Sequence, residues 1–69
     1  MIANTMVERN RYINEINELL VGNGGLAEAF MNSEYGNTYS DFVDYKNYNL
    51  PRLSNVIGAL REIYQRGPQ

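Results

Sequence analysis

The sequence predicts an all-α fold: a small antiparallel bundle of three main helices and one short helix, one domain over residues 1–69, dimerising with a second copy. Three observations carry this prediction. Apolar residues recur at helical spacing, helix start and stop signals punctuate the chain, and the chain is short and carries no staple. A domain of about 60 residues buries only about 60% of the surface its unfolded chain exposes. Such domains usually gain the missing stability from disulfides, a metal or oligomerisation. Cysteine and histidine are both absent, which removes disulfides and the commonest zinc ligands. No acid-rich loop has calcium-loop spacing either, so no metal or cofactor is expected and a homodimer is.

The first helix is predicted from Thr5 to about Val21. "TMVE" is a capping box, in which the Thr5 hydroxyl accepts from the third helical N–H and Glu8 reaches back. Met6, Tyr12, Ile13, Ile16, Leu19 and Leu20 share one face at 100° per residue, and Asn10, Asn14 and Asn17 line its flank. Gly22 is expected to end the helix in a left-handed cap. Arg9 falls inside the apolar face. It either snorkels at the helix end or pairs with Asp41 or Asp44 across the fold or dimer, fixing register, with a ligand anion as a third role.

"GNGG", Gly22 to Gly25, is a reversal between helices, because it lacks the spacing of a phosphate-binding loop. A second helix is predicted from Leu26 to about Tyr35, with Gly36 ending it. Thr38 and Asp41 look like a further cap. Tyr39, Phe42, Val43 and Lys46 then follow helical spacing, so a short helix is predicted over 39–46. On that reading Phe42 and Val43 enter the core, while Asp41, Asp44, Tyr45 and Tyr48 face outward or lie at the edge.

The last helix carries the clearest signals. Asn49 caps it, Pro51 sits in the first turn and Gly67-Pro68 closes it. Leu50, Leu53, Ile57, Leu60 and Tyr64 form a stripe that Val56 and Ile63 widen. Ser54 and Gly58 lie on the opposite face. They are either a tolerant surface or a place where a second backbone approaches closely.

Charge is segregated along the chain although the net value is only −2. Residues 12–45 carry six acids and no base, whereas Lys46, Arg52, Arg61 and Arg66 outnumber Glu62 after them. Either the last helix pairs with the acidic middle, or the middle offers an acidic face to a basic partner. No apolar run approaches membrane-spanning length and no signal pattern opens the chain, so a soluble, cytoplasmic protein is expected.

The residue types exclude most chemistry. Without histidine or cysteine, the commonest general base and the thiol nucleophile are missing, and catalysis is not expected. Direct nucleic-acid binding is disfavoured, because the tyrosine-rich stretch "EYGNTYSDFVDYKNYN" is acidic and repels phosphate. Six tyrosines exceed what one small core buries with every hydroxyl satisfied, and exposed tyrosine suits binding surfaces. The expectation is a non-enzymatic protein-binding module that meets a partner with a basic surface through Tyr35, Asp41, Asp44, Tyr45 and Tyr48. Short cysteine-free helical chains of this composition are frequent among phage and mobile-element accessory products. That association suggests a stoichiometric, virus-encoded inhibitor of a host factor, working in the host cytoplasm. The alternatives are a small nucleic-acid-binding transcriptional regulator using Arg52, Arg61 and Arg66, and a structural subunit of a larger assembly.

Overall fold

The computed structural model describes residues 3–66, with side chains described from residue 6 onward. Among these residues the fold is all-α and without strands. Helix α1 spans Ala3–Gly22, α2 Leu26–Asn32, α3 Tyr35–Thr38 and α4 Leu50–Arg66, with a 3-10 segment Phe42–Asn47 between the last two. There are thus five helical segments rather than the four expected. The two long helices, α1 and α4, lie against each other, and α2 packs on both.

α1 begins two residues before Thr5, so Thr5 is not its cap; the Thr5 side chain lies outside the described residues. Ile16 is fully buried, and Tyr12, Ile13, Leu19 and Leu20 pack half-buried around it. Met6 shares their face but remains 66% exposed, because the core does not extend under the first turns. The C-terminus of α1 is closed by a side chain rather than by Gly22. Asn23 Nδ2 donates to the Leu19 carbonyl at 2.8 Å, satisfying one of the orphan acceptors of the last turn. The one left-handed residue among those described is Gly25, φ 88°, at the third position of a turn closed by Leu26 N–H on the Asn23 carbonyl. A side chain there would be strained, so the turn needs a glycine at 25 rather than at 22.

α2 stops three residues earlier than predicted, and Ser33 is the cause. Its hydroxyl donates to the Phe30 carbonyl at 2.6 Å and accepts from the Tyr35 N–H at 3.2 Å, bridging the end of one helix and the start of the next. Gly36 therefore lies inside α3 instead of ending α2. Its role is close approach: a Cβ there would overlap the Met31 carbonyl oxygen.

α4 follows its signals most closely. Asn49 Oδ1 accepts the Arg52 N–H at 3.0 Å as an N-cap should. Leu53, Val56, Ile57, Ala59, Leu60 and Ile63 are buried. Tyr64, expected on the same stripe, is 54% exposed near the helix end. The Gly67-Pro68 stop lies outside the described residues.

Candidate interaction surface

Between α3 and α4 the chain departs from the predicted helix over 39–46. Tyr39 has φ −116° and ψ 46°, so no helix starts there, and the segment that forms is 3-10 from Phe42. Thr38 and Asp41 make no capping box: Thr38 ends α3, and Asp41 precedes the segment without a side-chain capping bond. A 3-10 helix turns every three residues, so positions i and i+3 stand one above the other. The segment kinks at Asp44 (φ −100°, ψ 28°). Three-residue backbone bonds from Phe42 N–H to the Tyr39 carbonyl and from Tyr48 N–H to the Tyr45 carbonyl nevertheless keep that spacing for Tyr39, Phe42, Tyr45 and Tyr48, and all four are buried. The expectation that Tyr45 and Tyr48 face outward is therefore corrected, since they are 8% and 4% exposed. Val43 is corrected in the opposite sense. Expected in the core, it is 86% exposed.

The buried rings form one aromatic cluster around Phe30. Phe42 lies 4.8 Å from it between centroids and Tyr39 5.8 Å, while Phe42 stacks on Tyr45 at 5.4 Å. Arg52 of α4 closes the other side, with its guanidinium 4.8 Å from the Tyr39 centroid and 4.4 Å from that of Tyr48. Arg52 Nη2 also donates to the Thr38 carbonyl at 3.1 Å and to Asp41 Oδ1 at 3.2 Å. The Tyr48 hydroxyl donates to the same Asp41 oxygen at 2.7 Å. Those two donors, Tyr48 first, hold the Asp41 carboxyl below the usual carboxylate range. Burial and the neighbouring carboxylate push the Tyr48 phenol up. Asp41 is thus a tether within the chain.

Arg9 secures the segment from the α1 side. Its Nη2 donates to the Lys46 carbonyl at 2.8 Å and its Nε to the Tyr48 carbonyl at 3.3 Å. Its partners are backbone oxygens left open where the 3-10 helix ends, rather than Asp41 or Asp44. The pairing of Arg9 with Asp41 or Asp44 is thus replaced by a tie from α1 to the backbone of residues 46 and 48.

Tyr35 is half-buried, and its hydroxyl donates to Glu62 Oε1. That bond to a carboxylate raises the Tyr35 phenol and lowers Glu62. Arg66 joins the group with a fork onto Glu34, at 3.1 and 2.7 Å, and a further bond to Glu62 at 2.7 Å. The fork draws Glu34 down to about 2. Arg61 pairs with Glu15 of α1.

These pairs close part of the segregated charge inside one molecule. Of the six acids in residues 12–45, Glu15, Glu34 and Asp41 are bound to the three arginines of α4. The remaining three, Glu18, Glu28 and Asp44, make no ion pair among the described residues. Of the five predicted contact residues, only Asp44 stands exposed without a partner among the described residues. Beside it, Leu20, Ala27, Met31, Phe42, Val43 and Tyr45 line an apolar groove of about 370 Å³. A second, wider groove of about 630 Å³ lies between the Asn23–Gly25 turn, α2 and the end of α4, with Tyr64 on its wall. Ser54 and Gly58 are exposed on the far face of α4, with open space where a Gly58 Cβ would point.

Among the described residues no three acidic side chains converge as a cation site would require, and no helix is long and apolar enough to cross a membrane. Comparison with protein-family models, curated proteins and solved structures finds no match.

Proposed function

We propose that the chain is a non-enzymatic binding protein, and that its partner is a protein presenting an apolar side chain beside basic groups. One observation carries this reading. Val43 stands almost wholly exposed at the rim of an apolar groove, between Phe42 and Tyr45 of the aromatic cluster and next in the chain to the exposed Asp44. A β-branched side chain has little rotamer freedom to lose on binding and gains burial. Asp44, next to Val43 in the chain and exposed, favours a basic group on the partner. This surface replaces the phenolic one expected from composition, since Tyr45 and Tyr48 are spent on the core and Asp41 on Arg52.

Composition supports an accessory protein of a phage or mobile element, inhibiting a host factor by stoichiometric binding in the host cytoplasm. It also supports self-association, because a chain this small carries neither disulfide nor histidine. A nucleic-acid binder using Arg52, Arg61 and Arg66 has less support, because each guanidinium already holds a carboxylate that a phosphate would have to displace.

The test is affinity capture from lysate of the source organism with three baits: wild type, Val43→Asp with Asp44→Lys, and Gln65→Lys as a surface control. The reading expects one partner near equal stoichiometry on wild type and control, lost from the double variant. Equal capture by all three, or nuclease-sensitive capture of nucleic acid, contradicts it.

A further inference from the structure

The outer face of α1 is used neither by the fold nor by the proposed contact. Val7, Asn10, Asn14, Asn17 and Val21 recur at spacings of three and four, and all five are exposed, Val7 at 56% and Val21 at 77%. Two exposed valines are ordinary by themselves; the amides and charges set between and beside them are what single out this face. Arg11 and Glu18 lie together along one flank of this stripe. Both are exposed, and neither makes an ion pair among the described residues, although Arg52, Arg61 and Arg66 are all paired.

The stripe is symmetric about its middle. Val7 and Val21 each stand seven residues from Asn14, about 10.5 Å along the axis at 1.5 Å per residue. Arg11 stands three residues before Asn14 and Glu18 four after it, so their distances from the centre differ by only about 1.5 Å. In a two-fold pair, residue i meets residue j of the partner and j meets i. A two-fold axis through Asn14 therefore sets Val7 against Val21 of a second copy, and Asn10 beside Asn17. It also brings flanks of the same side together, so Arg11 meets Glu18 twice. The amides carry both donors and acceptors, so facing asparagines satisfy one another. A polar residue at such a position fixes register at a cost in stability.

We propose that the outer face of α1 is a self-complementary interface on which two copies pair antiparallel, centred on Asn14. This rests on the self-association proposed above and names the face that performs it. The partner is a second copy because valine, asparagine and charge each find their complement on the same helix in a single register. Three asparagines in the centre fix the register at some cost in the strength of the dimer.

Charge exchange tests it, read by sedimentation equilibrium up to about 1 mM, where even a millimolar association is measurable. Arg11→Glu alone and Glu18→Arg alone each turn two attractions into repulsions, and each is expected to weaken dimerisation about tenfold. Arg11→Glu combined with Glu18→Arg is expected to restore it. Within one chain the two positions are about 10.5 Å apart along the helix axis and form no ion pair among the described residues, so recovery reports contact between copies. In a chain without cysteine, Asn14→Cys is expected to form a disulfide dimer on mild oxidation, whereas Asn55→Cys, exposed on α4, is not. Helical circular dichroism of each variant checks that it folds. A wild type that stays monomeric overturns self-association itself. A dimer that ignores both single exchanges, or is not restored by the double one, overturns the face.

Discussion

At position 36 a side chain of even one carbon would overlap the Met31 carbonyl oxygen, so glycine lets α3 fold back on the end of α2. Gly58, on the open face of α4, has nothing near its missing Cβ. The sequence reads Gly36 as a helix stop and Gly58 as a residue of the outer face, and the fold turns the first into a close approach. Gly36→Ala is expected to destabilise by about 1–3 kcal/mol, as forced overpacking does. Gly58→Ala is expected to stabilise by up to about 1 kcal/mol through helix propensity. Urea unfolding measures both, and equal effects of the same sign would contradict the assignment. Arg9 teaches a related lesson. Its place in an apolar face marked it as unusual, but its acceptors are backbone carbonyls of residues 46 and 48, which no side-chain pattern displays.

At the scale of the element, legibility followed period and capping. α4 was readable because its stripe keeps the 3.6-residue repeat and Asn49 is a cap that works as read. Asn49→Ala is therefore expected to cost about 0.5–2 kcal/mol, and Asn49→Asp much less, by thermal unfolding at neutral pH. The same destabilisation in both variants would argue against a capping role. The stretch from 39 to 48 misled because its period is three. A helical wheel places Val43 inward and Tyr45 outward, whereas the repeat Tyr39, Phe42, Tyr45, Tyr48 places every ring inward. That repeat was visible in the sequence. What was not visible is Ser33, which ends α2 early through its own backbone bonds and shifts everything after it.

Across the whole molecule, the acidic middle and the basic last helix bind each other. Single exposed ion pairs contribute little, but these join α4 to α1, to α3 and its approach, and to the 3-10 segment. Their signature is acid sensitivity. Glu34 titrates at about 2 in the fold against an ordinary 4.5, and Asp41 and Glu62 are lowered as well. A lowered folded-state pKa means the charged form favours the fold. The contribution is complete above about 4.5 and is lost as pH falls toward about 2. Glu34→Gln removes the group, so its melting temperature is expected to fall less than that of wild type over this window. Parallel curves would contradict the network's role.

The account turns on whether the tyrosine-rich segment faces inward on a three-residue repeat and leaves Val43 outside. Comparing Val43→Ala with Tyr45→Ala in urea unfolding tests this most directly. The predicted result is a loss of about 3–5 kcal/mol, or failure to fold, for Tyr45→Ala, and a change within about 0.5 kcal/mol for Val43→Ala. The reverse order, with Val43→Ala the costly substitution, would contradict the account and restore the helical reading of the segment.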